Sequence, residues 1–262
     1  MEDRPVLRPA EVLELVPGVV VTQHSGAGKA NQYFLRGFNL DHGTDFATAL
    51  DGVPLNLRTH AHGQGYTDLN FLLPELVERV DFWKGPYFAS KGDFASAGAA
   101  DIRYRDSLPA YAGAIEAGNF GYLRALLYGS PGLGGGTLLY ALEYAHDDGP
   151  WERPDDYRRV NGVLRYSRDL AGGRWSLTAM GYRGRWNATD QIPRRAVEDG
   201  LVSRWGTMDP TDGGDTFRYG LSGGWRGPVG GGVLEASAYL VRYQLHLFSN
   251  FTYFLDDAAR GD

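Results

Sequence analysis

The chain has no cysteine among its 262 residues, which excludes disulfides and thiolate metal centres together. It has no apolar run of about 18 residues, so no segment reads as a transmembrane helix. It also lacks a basic excess. Lys and Arg number 26 against 32 Asp and Glu, a net charge of −6, and a nucleic-acid partner needs clustered cations for its phosphates. The N-terminus, Met-Glu-Asp-Arg-Pro, carries no charged n-region or apolar h-region, so it does not read as a signal peptide. A transmembrane barrel stays open, because barrel strands alternate and never build a long apolar window.

Glycine and aromatic rings are abundant instead: 37 Gly, 16 Tyr, 12 Phe and 6 Trp. That pairing suits many tight turns joined to strands that carry rings on one face. Residues 1 to about 105 read as a small mixed domain. Pro9 to Val16 predicts a short helix, Val19-Val-Val21 a buried strand, and Tyr33-Phe-Leu35 a second strand. Leu50-Asp-Gly-Val-Pro54 predicts a strand turning through Asp51-Gly52, and Pro74 to Glu78 a helix opened by its proline. Val80 to Trp83 predicts another strand, stopped by Gly85-Pro86.

From about residue 111 the pattern changes to strands of about ten residues with one apolar and one polar face. In 137–147, Leu138, Tyr140, Leu142 and Tyr144 alternate with Thr137, Ala141, Glu143 and Ala145. In 159–167, Val160, Leu164 and Tyr166 oppose Arg159, Asn161, Arg165 and Ser167. In 216–226, Phe217, Tyr219, Leu221 and Trp225 oppose Thr216, Arg218, Ser222 and Arg226. About seven strands are expected, at 112–118, 121–130, 137–147, 158–168, 174–186, 216–226 and 233–248. The last is the least regular, because Leu240 and Arg242 share a face. Short glycine-rich turns alternate with the long loops 146–157 and 187–215, as in outer-membrane barrels. Trp175, Trp186, Trp205 and Trp225 fit interfacial girdles.

Three short motifs then occur in order: Leu35-Arg36-Gly37, Asp51-Gly52-Val53-Pro54, and Glu78-Arg79-Val80 running to Lys84-Gly85-Pro86. Each is common alone. In this order, followed by barrel strands, they resemble the plug of TonB-dependent outer-membrane receptors. The run Lys91 to Ala100 keeps the small residues that close such a plug, but not the usual tyrosine-glycine and Gly-Gly. The resemblance implies a mixed α+β plug domain over 1–108 and antiparallel transmembrane β-barrel strands over 109–262. It also implies a barrel of 22 strands of which this chain holds a part. Seven strands cannot close without unpaired backbone in lipid, so the expected product is a fragment, with the TonB box, any signal peptide and about fifteen strands outside it.

The same resemblance implies a Gram-negative outer-membrane location, lipid and TonB as partners, and a small-molecule or metal substrate. Arg36 and Arg79 are then candidates for a plug–barrel lock, with Glu116 and Glu143 as lumen-facing carboxylates within this chain. His42, Asp45, His60, His62 and Tyr66 are candidate ligand contacts, and the His60-Ala-His62 pair, two imidazoles at i and i+2, is a candidate metal site. A resident cofactor is not expected, only a transported metal ion or chelate. No catalytic constellation has a persuasive context, so the chain does not read as an enzyme. The alternatives are a non-transporting β-rich binding or adhesion module, or a non-functional gene fragment.

Overall fold

The computed structural model describes residues 6–23, 26–60, 63–254 and 259. A 3-10 helix, Pro9–Leu15, opens the N-terminal region, and the Glu11 carboxylate accepts from Leu7 N at 2.9 Å at its start. Its apolar side buries Val12 and Leu13. A small antiparallel sheet follows, made of β1 (Val19–Thr22), β2 (Gln32–Leu35) and β3 (Phe38–Asn39). A second sheet is built from β4 (Phe46–Leu50), β5 (Val53–Pro54), β6 (Val77–Lys84) and β7 (Gly98–Tyr104) in the order β5-β4-β7-β6. Asp51 and Gly52 both take positive φ (51° and 78°) between β4 and β5, the two-residue hairpin that an Asp-Gly pair favours.

The strand β7 was not expected. Ala99 and Ala100 sit fully packed between β4 and β6, where only small side chains fit, so the segment shows no alternation to read. The two expected short helices are both 3-10 turns, the second at Pro74–Leu76, and a further such turn spans Ala89–Lys91.

The remaining strands form one antiparallel wall. They are β8 (Ala112–Ala117), β9 (Leu123–Gly129), the two-residue β10 (Gly132–Leu133), β11 (Gly136–Asp147), β12 (Tyr157–Leu170), β13 (Gly173–Asn187), β14 (Gly213–Val229) and β15 (Gly232–Phe248). Their order is β15-β14-β13-β12-β11-β9-β8, with β10 beside β11, and the sheet is open. The hairpins β12–β13 and β14–β15 turn in two residues, while 148–156 and 188–212 are long loops at the other end of the wall. A five-residue helix, Arg194–Glu198, lies in the second loop.

Burial in this wall is inverted. On β12 the buried residues include Arg159, Asn161, Arg165 and Ser167, while Val160 and Leu164 are exposed. On β11 Glu143 is buried, and Leu142 and Tyr144 stand outside. A water-soluble sheet does the reverse. The polar face is covered by the N-terminal domain, and a single apolar cluster joins Phe71, Leu72, Leu76 and Ile102 of that domain to Leu139, Val163 and Tyr182 of the wall. The domain is therefore a plug against an inside-out sheet, which is the arrangement of an antiparallel transmembrane barrel around its plug.

Candidate functional site

The plug is fastened to the wall by ion pairs whose carboxylates come from the plug side. Arg165 on β12 donates through Nη1 to Asp51 of the β4–β5 hairpin at 3.0 Å, and through Nε to Asp106 at 2.9 Å. Asp106 lies in the segment that leads from β7 to β8, and its other oxygen accepts from Arg174 Nε at 2.9 Å. Arg124 on β9 reaches Glu75 of the second 3-10 turn at 2.7 Å and Glu143 of β11 at 2.5 Å. Glu143 also faces Arg159 at 2.9 Å. Arg103 of β7 reaches Glu235 of β15 at 3.4 Å, the one such pair with the opposite sense among the described residues.

Burial opposes the charge on these groups, and pairing restores it. Burial raises the Asp51 carboxyl against the pull of Arg165. At Asp106 burial also pushes upward, but Arg165 and then Arg174 outweigh it, and the carboxyl ends below the usual range. A neutral contact supports the same seam: Asn161 Nδ2 donates to the Phe71 carbonyl at 2.5 Å.

At the long-loop end the plug presents a cluster of rings. The His60 imidazole is stacked on Tyr66, centroids 4.1 Å apart and 1° from parallel. His42 lies on another side of Tyr66 at 5.5 Å, and Tyr243 of β15 at 6.5 Å. Tyr66 is fully buried, with its hydroxyl accepting from Ala30 N at 2.8 Å. His42 is also buried, with Nδ1 3.0 Å from the Asn31 carbonyl. His60 is half-buried, and that burial lowers its pKa. Beneath the cluster, Asp68 is buried and takes a hydrogen bond from Asn70 N at 2.9 Å, with the Tyr243 hydroxyl at 3.5 Å. Desolvation pushes its carboxyl up to about 6.

The structure thus brings His42, His60 and Tyr66 together. Asp45 is separate: it accepts from the Ser96 hydroxyl and lines a shallow surface hollow with Thr44 and Phe88. His62 lies outside the described residues. Arg36 is exposed in the tight turn after β2, with φ 53°, and Arg79 is exposed and paired with Asp81 at 3.0 Å within the plug. Glu116 and Glu143 face the plug side of the wall, but both are held by Arg124.

Trp175 and Trp225 stand outward as a ring pair at 6.3 Å near the short turns. Trp186 instead points inward and is buried against Gly26 and Gly28 of the plug, and Trp205 sits in a long loop 5.8 Å from Trp151. Among the described residues, His146, Asp148 and Asp156 also converge, with their ligand atoms within 4.8 Å. Arg158 at 2.7 Å and Arg185 at 3.4 Å already engage Asp156, so this group is an ion-pair network.

A plug packed on the polar face of an antiparallel wall defines the class: a plugged outer-membrane-type β-barrel. Within that class, residues 1–99 match the family model of the TonB-dependent Receptor Plug Domain, so the chain carries that receptor family's plug followed by wall strands. Solved structures agree on the fold. A copper transporter, OprC, superposes with a TM-score of 0.68 at 18% identity, over 90% of this chain and 34% of its own. The ferric citrate transporter FecA in its unliganded form gives 0.68 at 14% identity, over 91% and 38%. The siderophore receptor PiuA from Acinetobacter baumannii gives 0.65 at 16% identity, over 90% and 34%. The chain therefore spans about a third of the length of the structures it matches.

The residues that sequence reasoning missed are Glu75, Asp106, Arg124 and Arg174. Arg165 was legible as wall-inward, but nothing local showed its partners, which lie 59 and 114 residues away.

Proposed function

We propose that this chain forms the plug, taken as 1–108, and the first wall strands, 109–262, of a TonB-dependent active importer in the outer membrane of a Gram-negative bacterium. The observation that carries this reading is the inside-out wall: its buried face holds Arg159, Asn161 and Arg165 against a plug, and its exposed face holds Val160 and Leu164. Such a protein does no covalent chemistry. It binds a scarce solute outside and releases it when TonB remodels the plug.

The long loops 148–156 and 188–212 face outward in this reading, as in outer-membrane barrels. The substrate is a metal ion or metal chelate received at the plug apex. His42, His60, His62 and Tyr66 are the proposed contacts, with Asp45 at the neighbouring hollow. Imidazole suits copper and zinc, and the rings suit an organic chelate. Arg36 and Arg79 are the proposed lock residues toward wall strands beyond the seven here.

The test is uptake of copper and zinc by cells bearing the intact receptor. Replacing His60 and His62 by alanine is expected to reduce accumulation at limiting metal. An unaltered rate would remove metal coordination at the apex. Partition of the chain into water without detergent, as a monodisperse species, would remove the membrane reading altogether.

A further inference from the structure

The two long loops are tied into one body, and the knot is a buried carboxyl that the plug seam does not use. Loop 148–156 joins β11 to β12 and loop 188–212 joins β13 to β14, so both hang from interior strands of the wall. Glu152 N donates to the Trp205 carbonyl at 3.0 Å, and the Trp151 and Trp205 rings lie 5.8 Å apart. Arg153 Nη1 donates to the carbonyls of Asp212 at 3.2 Å and Ala188 at 3.4 Å. Asn187 closes the base: its N donates to the Asp155 carbonyl at 2.7 Å and its Nδ2 to the Pro154 carbonyl at 2.9 Å. Asp155 N in turn donates to the Asp148 carbonyl at 2.8 Å, which folds the first loop on itself. All of these ties pass through residues 151–155.

The Asp155 side chain lies among these ties and is 7% exposed. Its Oδ2 accepts from Trp151 Nε1 at 3.2 Å, and no cation forms an ion pair with it among the described residues. Arg153 attracts it from a distance while donating to the two carbonyls of the other loop. Asp147 and Asp148 face it with charge of its own sign. Of the charged groups on neighbouring segments, Asp156 is taken by Arg158, Arg185 and His146, and Asp209 by Thr211 and Asn250. An ionised Asp155 is therefore desolvated and repelled together, with one indole N–H to steady it. Desolvation is the largest cause, the Trp151 bond and Arg153 oppose it, and Asp147 and Asp148 add to it, so the carboxyl is pushed up to about 7. When the loops part, the carboxyl meets water and returns to the ordinary range of about 4.

We propose that loops 148–156 and 188–212 form a single canopy that acid locks and alkali loosens, with Asp155 as its proton-binding knot. The sign follows from linkage: the tied loops hold the Asp155 proton more tightly than parted loops, so protonation draws them together. The advantage is complete below about pH 4 and is lost as pH rises through about 7. From pH 8 to pH 6 the ratio of tied to parted loops rises about tenfold. The canopy is rooted beside the plug, because Asn187 follows Trp186, whose indole lies against Gly26 and Gly28. On the outward orientation proposed above, the state of the loops answers to external pH. None of these ties involves a transported solute, so the uptake experiment and the one below fail separately.

The experiment is hydrogen–deuterium exchange of the whole chain in detergent between about pH 6 and pH 8, each rate being divided by the intrinsic rate of its peptide at that pH. Protection over 149–156 and 204–206 is expected to be about tenfold higher at pH 6 than at pH 8. Asp155→Asn, which keeps an acceptor for Trp151, should stay protected at both pH values. Asp147→Asn removes one repelling charge, so it should keep the response and move its midpoint to lower pH. Asp68→Asn, which alters the raised carboxyl of the plug, should leave the loop response as it is. A parent chain without pH dependence in these segments overturns the proposal, and so does a response that survives in Asp155→Asn. An unmoved midpoint in Asp147→Asn also overturns it. Loss of the response in Asp68→Asn overturns it in favour of a proton held by the plug.

Discussion

In the plug, Leu72, Leu73 and Leu76 are wholly buried while Arg36 and Arg79 lie outside; in the wall beside it, Arg165, Asn161 and Ser167 are buried while Leu142, Leu164 and Leu240 stand outside. The same kinds of side chain take opposite places because the two regions answer to different solvents. The plug sorts its residues as a water-soluble domain does. The wall turns its apolar residues to hydrocarbon and its polar residues to the plug. Their shared boundary is consequently both buried and charged. Such a seam holds only while its pairing is complete, since a buried charge without its partner is costly.

The largest expected effect comes from breaking that pairing. Arg165→Met leaves Asp51 without its ion-pair partner and Asp106 with Arg174 alone, and should destabilise the plug–wall unit by about 3–5 kcal/mol. A urea titration followed by tryptophan emission in detergent reads this directly. An unmoved midpoint would mean that Arg165 is not holding the seam.

Reversing the wall's outer face comes next. Leu164→Arg places a charge in the apolar belt of β12 and should cost about 2–4 kcal/mol if the site lies near the midplane. Insertion into vesicles should fall, whereas the same substitution on a water-facing strand would leave it unchanged.

Asp68 sharpens the contrast through pH. Its folded-state pKa of about 6 lies above the ordinary carboxylate value, so the folded state binds its proton more tightly than the unfolded chain. The associated stability is complete below about pH 4 and is lost as pH rises through about 6. Asp68→Asn should therefore be more stable than the parent by about 2 kcal/mol at about pH 8, with the difference vanishing near pH 4. A constant difference across that range would show that the carboxyl's charge is not the cause.

The smallest expected effect concerns fit. A Cβ on Gly28 would fall 2.0 Å from Trp186 Cε3, a rigid indole carbon, so Gly28→Ala should cost about 1–3 kcal/mol. Ordinary melting behaviour in this variant would mean that the plug loop and β13 yield more readily than close packing allows.

Much of the wall was legible in the chain because strand alternation is local. The expected strand 137–147 and the observed β11 at Gly136–Asp147 differ by one residue. Leu240 and Arg242 sharing a face read as an irregularity, yet both do stand outward. The plug was less legible. β7 is hidden by its alanines, and the parallel pairing of β4 with β7 joins segments about fifty residues apart. Trp186 read as a girdle residue because ring type and position near a strand end say nothing about which face it occupies. Of the candidate contacts, the closeness of His60 and Tyr66 is a fact of loop folding and not of spacing.

The sequence by itself determined the turn at Asp51-Gly52, the approximate places of the wall strands and which residues of each wall strand share a face. These follow from backbone preferences and a period of two, which act over a few residues. Only the tertiary structure decided which face meets the plug, that Arg165 joins Asp51 to Asp106, and that Asp68 loses its water. Those depend on segments far apart in the chain being brought within reach, and on the solvent each face is left with.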